Sequence, residues 1–421
     1  MKKKNYIETD VYYESFKRLE YIFKEFGKDV YLSFSGGKDS GVMLNLALNI
    51  ARKMDLLPLK VFFIDMEAQY KETIDYISKT FENPEIEPYW VCLPISLRNA
   101  VSVFSPKWIP WDKEKKELWI REIPNKPYVI TEENLPKEWI WFKKGMEFEE
   151  IILYFGEWLG KKSKSNKIAC LVGIRSDESL KRFSTISRDV KTYYKNDIQW
   201  STKVNSIKTT NLYNFYPIYD WRVEDIWAAV GKFNFLYNKV YDLFFYHGES
   251  INTMRLCQPY GDNQRKSLDL FHEIEPETWF KIVKRVSGAN FGAIYTGDKI
   301  LGNRTTLIPE GYTYKDYTIF LLESMPKYLK VHYLKKINTF LKWWHKKLGG
   351  TSFEYEESGL FKTNLINEIA DKKLEAQRKA PSWRRVCKVI LKNDFYCYGL
   401  SFCQNKNEYD KLMKLKKLYG E

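Results

Sequence analysis

Val30-Tyr31-Leu32-Ser33-Phe34, then Ser35-Gly36-Gly37-Lys38-Asp39-Ser40, then Val42-Met43-Leu44-Asn45-Leu46-Ala47-Leu48 is the stretch whose reading decides the fold. The first part is apolar and β-prone enough for a buried strand, and the last reads as a buried helix. The six residues between them therefore stand at a strand-to-helix turn. Two glycines let the backbone turn with positive φ and come close to a ligand. The helix that starts there aims its unsatisfied N–H groups and the positive end of its dipole at the turn, which favours phosphate. Lys38 adds a positive charge, and Ser35 and Ser40 add hydroxyl donors. Asp39 is the odd member, since a carboxylate beside phosphates makes chemical sense mainly when Mg²⁺ bridges them. The spacing does not fit the Gly-x4-Gly-Lys-Ser/Thr phosphate loop. A ligand-free Gly-rich turn capped by Ser and Asp would explain the glycines but not all six residues together, so nucleotide binding is the expectation.

Working outward, further strands are predicted at Leu59–Ile64, ending at Asp65, at Tyr89–Leu93 and at Ile168–Val172. An amphipathic helix, Tyr12 to Phe26, precedes the first strand and stops at Gly27, as a C-cap glycine would stop it. Strands alternating with helical patterns predict an α/β fold with a parallel, doubly wound sheet. In such sheets the ligand sits beyond the carboxyl ends of the strands. Three segments stand at those ends: Ser35–Ser40, Asp65-Met66-Glu67 and Gly173-Ile174-Arg175.

The last of these runs on as Ser176-Asp177-Glu178-Ser179, with Arg182 following. Gly173 lets the backbone pass close to a ligand, while Arg175 and Arg182 can each grip phosphate or carboxylate through two N–H groups. Glu178 suits either the orientation of an arginine or a metal. Read by itself, the segment is also compatible with a capped helix carrying surface salt bridges.

The chain's 421 residues suffice for two domains. With 44% hydrophobic and 29% charged residues it has the composition of a folded protein. No apolar run reaches the 18 residues of a membrane span, and the basic start, Met1-Lys2-Lys3-Lys4, leads into no apolar segment of signal-peptide type. Six scattered cysteines form no CxxC pair, which argues against a disulfide framework and a zinc ribbon. A cytoplasmic, reduced protein away from membranes is the expectation. The net charge of +14 is uneven: residues 321–421 hold 21 Lys/Arg against 11 Asp/Glu, a balance of +10. That field suits either nucleic acid or another polyanion, or it is an ordinary solvated helical surface.

Between the third and fourth strands, about 96 to 160, lie six of the fourteen tryptophans: Trp108, Trp111, Trp119, Trp139, Trp141 and Trp158. This stretch reads as an insertion covering one side of the core, its aromatics either packing or stacking on bases. After Tyr216-Pro217-Ile218-Tyr219-Asp220-Trp221 a helix starts near Val223, and a domain boundary is placed near 235. The nucleotide-binding domain is then 1–235, and 236–421 is a mostly helical, basic domain with its clearest amphipathic helix at Pro326–Leu348. A third cluster, Met254-Arg255-Leu256-Cys257-Gln258-Pro259, continues to Arg265 and Lys266. Cys257 between cations is either an activated thiol or a small buried hydrophobe, and Arg255, Arg265 or Lys266 could contact phosphate in a substrate loop.

The Ser35–Ser40 loop resembles the PP-loop, the pyrophosphate-binding signature of the ATP pyrophosphatase and phosphoadenosine phosphosulfate (PAPS) reductase superfamily. Gly173-Ile174-Arg175-Ser176-Asp177-Glu178-Ser179 with Arg182 resembles the Gly-x-Arg-x-x-Glu-Ser-x-x-Arg element of PAPS reductases and the small subunit of ATP sulfurylase. Asp65-Met66-Glu67 stands where many relatives carry Asp-Thr-Gly, so Asp65 keeps the acidic position while Thr and Gly are missing. Together with the Trp-rich stretch and the Cys-Gln-Pro segment, the match over about 28–325 is similar to the IbrA-type subfamily of PAPS-reductase-like proteins. That resemblance implies an adenine nucleotide, ATP or PAPS-like, held by Ser35, Gly36, Gly37, Lys38, Asp39, Ser40, Asp65, Gly173, Arg175, Glu178 and Ser179. It also implies a role as co-activator of prophage gene expression beside a ParB-like partner of sulfiredoxin fold.

A thiol-dependent reductase of this superfamily forms its thiosulfonate on a cysteine in a Glu-Cys-Gly segment, and no such segment occurs here. The late cysteines are Cys387, Cys397 and Cys403. The Cys-Cys and CxxC ligands of an iron–sulfur cluster are absent as well, so no cluster is expected. The stronger expectation is cleavage of ATP between its α and β phosphates, with Lys38, Arg175 and Arg182 stabilising charge and Mg²⁺ near Asp39. The alternatives are a nucleotide-gated DNA- or partner-binding subunit without turnover and, third, a sulfonucleotide reductase.

Overall fold

The computed structural model of the chain describes residues 8–102, 105–187, 191–195, 198–204, 209–256, 260–261, 268–289, 308–309, 311–392, 394–402 and 418. Residues 1–97, 109–259 and 273–285 form one compact unit; residues 98–108, 260–272 and 286–421 form a second. This division differs from the boundary expected near 235. The segment after 235 stays with the first unit because Asn238 and Tyr241 bond to the loop that follows the first strand.

The first unit is built on a seven-stranded sheet. Its strands are β1 (Val30–Ser33), β2 (Leu59–Ile64), β3 (Ile86–Val91), β4 (Val129–Ile130), β5 (Lys167–Val172), β6 (Ser201–Lys203) and β7 (Asn211–Phe215), in the order β4-β3-β2-β1-β5-β7-β6. All neighbours are parallel except β6, which runs antiparallel to β7. The helices are α1 (Val11–Phe26), α2 (Lys38–Lys53), α3 (Lys71–Phe81), α4 (Phe148–Lys162), α5 (Leu180–Ser187), α6 (Val223–Phe233), α7 (Val240–Tyr246) and α8 (Pro276–Arg285). The period of two along each strand splits the core between the faces. Val30, Leu32, Val61, Phe63, Ala169 and Leu171 face one way, into the core formed with α1, α2, α3 and α6. Tyr31 and Phe62 face the other way and meet Phe155 of α4, with Phe62 and Phe155 stacked at 3.8 Å between centroids. The expected doubly wound α/β sheet is therefore present.

The Trp-rich stretch, expected as an insertion covering one side of the core, also contributes to the sheet. It supplies β4, the outermost strand on that side, and α4, the crossover into β5, and Trp139 and Trp158 pack against Phe155 under that face. α1 begins on Asp10, whose carboxylate accepts the Tyr13 N–H at 2.7 Å, and ends at Gly27 with φ +55°.

The second unit is mostly helical where described: α9 (Tyr314–Glu323), α10 (Lys327–Lys347), α11 (Lys372–Ala376) and α12 (Trp383–Leu391). Tyr333, Ile337 and Leu341 of α10 form its core with Leu360, Phe361, Trp383 and Val386. The helix expected over Pro326–Leu348 is α10. Among the described residues no helix is long and apolar enough to cross a membrane.

Candidate nucleotide site

The loop after β1 is held in its turn by its own hydroxyls and by glycine geometry. Phe34 continues the ladder, its N–H donating to Phe62 O at 2.8 Å, and Ser35 then leaves the sheet. Gly36 lies at φ +70°, and a Cβ there would come within 2.9 Å of Ile77 Cδ1 and 3.1 Å of Thr73 Cγ2, so no other residue fits without movement. The hydroxyl oxygens of Ser35 and Ser40 are 3.0 Å apart, and Ser40 Oγ also donates to Gly37 O at 3.0 Å. Gly37, the N-cap of α2, has no side chain with which to cap it. An anion is the natural partner for such a helix start.

The loop after β5 closes on this one. Ser33 of β1 is in register with Val172 of β5, so the two loops leave adjacent strand ends. β2 and β3 lie on one side of β1 and β5 on the other, which makes this gap the point where the winding reverses and where ligands of open α/β sheets bind. Gly173 makes the approach close: a Cβ there would lie 3.0 Å from Ser40 Cα and 3.1 Å from Asp39 O, both backbone atoms. Arg175, 4% exposed, donates to the carboxylates of Asp39 and Asp177. Burial pulls its pKa down, but Asp39 and then Asp177 outweigh that and leave it raised. Lys38 Nζ stands 3.6 Å from Asp39 Oδ2.

Two functional neighbours escaped the sequence reading, both around the start of α7. Asn238 is fully buried and donates to Gly36 O at 3.0 Å and to Thr73 Oγ1 at 2.9 Å. The Tyr241 hydroxyl accepts the N–H of Lys38 at 3.1 Å, and its ring lies 5.2 Å from Lys38 Nζ. Lys38, 5% exposed, directs its ammonium to Met254 O at 2.9 Å. The one local signal is Asn238 just ahead of an aromatic helix, where its Oδ1 accepts the Val240 N–H.

The remaining expected site residues divide. Asp65 is fully buried, and its carboxylate accepts the Trp90 indole N–H at 2.8 Å, the Glu67 N–H at 3.0 Å and Arg121. These bonds fasten the end of β2. Glu67 is fully buried too, accepting the N–H of Trp111 at 2.7 Å and Arg285 Nε at 2.9 Å. Arg182 and Glu178 form an i,i+4 pair at 3.6 Å, and Ser179 Oγ accepts the Arg182 N–H at 3.2 Å. Among the described residues Arg182 thus bonds within its own segment and not to the Ser35–Ser40 loop. Arg255 follows the carbonyl that holds Lys38, whereas Cys257, Gln258, Arg265 and Lys266 lie outside the described residues. Among the described residues no group of three or more His, Cys, Asp or Glu is placed to hold a metal ion.

Comparison with known proteins fits this arrangement. The phosphoadenosine phosphosulfate reductase domain matches residues 29–99 and 157–247, covering both loops, and the Domain of unknown function (DUF3440) matches 248–370 and 354–411. The uncharacterized protein YbdN of Escherichia coli (strain K12) is 37% identical over 384 residues, 90% of this chain and 87% of that protein. The chain belongs to the YbdN family. The uncharacterized protein MJ0973 of Methanocaldococcus jannaschii is 26% identical over 58% of this chain and 44% of its own length. Among solved structures, Candida glabrata FMN adenylyltransferase with FAD and pyrophosphate is 15% identical over 56% of this chain, with a TM-score of 0.33, and the chain spans 64% of that enzyme's length. The PAPS reductase of Candida auris in a phosphate complex is 14% identical over 57% of this chain and 94% of that one, with a TM-score of 0.27.

Proposed function

We propose that the chain binds ATP with its pyrophosphate portion on the Ser35–Ser40 loop and cleaves it between the α and β phosphates, transferring adenylate to an acceptor. The observation that carries this reading is the contact of the two motifs at the switch point, Gly173 against the backbone of Asp39 and Ser40 with Arg175 on Asp39. An oxyanion of the acceptor attacks the α-phosphorus, the bond to the α,β-bridging oxygen breaks, and pyrophosphate leaves with the electron pair. The start of α2, Lys38 and Arg175 face the charge that builds on the leaving group. The carboxylate of Asp39, which the Arg175 guanidinium holds in the loop, is an oxygen donor of the kind Mg²⁺ takes. Asp39 is the residue that would hold it, and the ion would offset phosphate charge.

A reductase role is the weaker alternative. Cys92, Cys170, Cys387 and Cys397 are all buried, and burial pushes the Cys170 thiol up to about 12 and Cys387 up to about 11. None of them suits a nucleophile. A second reading is gating without turnover, favoured by one observation. Lys38 N–H and Nζ are already bonded, to Tyr241 and Met254 O, so phosphate on this loop would release α7 and the segment before Arg255. The ParB-like, sulfiredoxin-fold partner and the prophage co-activator role belong to the same proposal, the partner being one source of the acceptor. Cytoplasmic location is part of it as well.

The test is turnover of ATP labelled at the α-phosphate, with pyrophosphate, AMP and adenylated product read separately. Pyrophosphate release that Lys38→Ala abolishes supports adenylation. A rise in melting temperature with ATP but no release supports gating, and no rise with ATP or PAPS overturns nucleotide binding.

A further inference from the structure

The C-terminal unit contains a cavity of about 540 Å³ whose wall is dominated by cations: Lys372, Arg378, Arg384, Arg385, Lys388 and Lys392. Two acids share the wall, and both are taken up by the fold. Glu375 accepts Arg384 Nε at 3.0 Å, the Ala370 N–H at 3.0 Å and the Ser382 hydroxyl. Asp394 accepts the N–H groups of Tyr398 at 3.0 Å and Gly399 at 2.7 Å.

Two features go beyond a solvated basic surface. Arg385 is 5% exposed, yet among the described residues its hydrogen bonds go to neutral oxygens: Gly399 O at 2.8 Å, Ala380 O at 2.8 Å and Ser401 Oγ at 3.1 Å. Among the described residues Glu375 acts on this guanidinium by charge without a hydrogen bond to it, its oxygens being held by Arg384, Ser382 and the Ala370 N–H, and a buried guanidinium so placed favours an added anion. Burial, and then the neighbouring Arg378, hold its pKa down. The second feature is Arg378 itself, at φ +61° just past the end of α11. Its N–H bonds to Glu375 O, and the Lys379 N–H bonds to Leu374 O, the pattern of a helix stop in which glycine is the usual residue. An arginine in that conformation is disfavoured by the backbone, and what it adds is a guanidinium at the cavity wall.

We infer that this cavity is a second anion site, separate from the Ser35–Ser40 loop, that takes consecutive phosphates of a nucleic-acid backbone. A free nucleotide would need only the cavity. Residues 321–421 carry 21 cations against 11 acids, and the excess is concentrated in 327–347, 372–392 and 406–417, beyond what the cavity wall alone supplies, which serves a ligand that carries phosphates past the cavity mouth. Recognition would be of charge and spacing and not of base sequence. The inference does not rest on ATP cleavage at the first site.

The experiment is fluorescence anisotropy of a fluorescein-labelled 20-base-pair DNA and its single strand with the full chain, titrated at several salt concentrations. For the Arg378→Ala/Lys388→Ala double variant, with its melting temperature checked, affinity at 100 mM salt should fall at least tenfold. The slope of log K against log[salt] should shrink by about 2. In the unmodified chain, DNA should shield Lys388 and Lys392 from acetylation, read by mass spectrometry, and pyrophosphate at equal phosphate concentration should not. Binding that the double variant leaves unchanged, or shielding by pyrophosphate alone, overturns the inference. If the double variant does not fold, the acetylation pattern of the unmodified chain decides.

Discussion

The carboxylate of Asp39, second residue of α2, accepts the Nε–H of Arg175, which stands 136 residues later in the loop after β5. The acid of one motif and the base of the other are thus one ion pair, with Lys38 3.6 Å from the same carboxylate. A ligand phosphate at this point meets two cations already facing two acids, Asp39 and Asp177. Arg175→Ala should therefore abolish the ATP-induced rise in melting temperature and slow pyrophosphate release about a hundredfold, ~3 kcal/mol of barrier. Arg175→Lys keeps the charge but not the fork and should fall between. Thermal shift and a pyrophosphate assay on the same samples check both.

Gly173 should tolerate nothing larger. Its missing Cβ is what lets two backbones touch, and Gly173→Ala would push Ser40 and Asp39 away by a few tenths of an ångström. A destabilisation of about 1–3 kcal/mol is expected, with loss of ATP response. Gly231 is the control: it lies in α6 with nothing within 4 Å of its would-be Cβ, so Gly231→Ala should stabilise by about 0.5–1 kcal/mol. Denaturant melts of the two variants should move in opposite directions.

Tyr241→Phe removes the hydroxyl that occupies the N–H of Lys38. If phosphate uses that N–H, the variant frees a donor the wild type must first release. Pyrophosphate affinity should then rise about fivefold, corresponding to ~1 kcal/mol. Calorimetric titration with pyrophosphate reads this directly, and weaker binding would instead make the hydroxyl a phosphate contact.

The buried thiols set a further expectation. Cys170 and Cys387 keep their protons in the fold well past the ordinary thiol value near 9, because burial disfavours the thiolate. A group whose pKa is raised on folding supports the fold fully below its unfolded value and progressively less above it. Stability should therefore decline as pH rises from about 9 toward 11–12, and Cys170→Ala/Cys387→Ala should show a shallower alkaline decline. At pH 7.5 a thiol reagent should leave Cys92, Cys170, Cys387 and Cys397 unlabelled in the native chain. Native labelling then reports on Cys257 or Cys403 alone, which peptide mapping distinguishes.

The parts of this protein legible in its sequence are those that local pattern controls. The strand, turn and helix around Ser35–Ser40 could be read because period, glycines and polar residues fall within twenty positions. β4 could not, since two residues, Val129 and Ile130, carry no period. Tyr241 and Asn238 were out of reach because their partners, Lys38 and Gly36, lie about 200 residues away and only the tertiary fold brings them together. Asp65-Met66-Glu67 is the instructive case. Read against Asp-Thr-Gly it looks like a lost glycine, yet Glu67 sits at φ +62°, the conformation a glycine adopts freely. The backbone turn persists and the side chain has gained a structural task.

That task makes the last expectation. Glu67 and Arg285 are both buried and joined at 2.9 and 3.2 Å, tying the end of β2 to α8, while Glu67 also accepts the N–H groups of Trp111 and Ile120. Removing the cation alone, as Arg285→Met, leaves a carboxylate out of water with only backbone donors. That should cost about 3–5 kcal/mol. Glu67→Gln/Arg285→Met removes both charges and should recover part of the loss, because burial of an unpaired charge, more than the lost attraction, is what destabilises the single variant. Urea melts of Arg285→Met, Glu67→Gln, the double variant and the parent give the coupling, and a double variant no more stable than Arg285→Met would show that the pair acts through packing and not through charge.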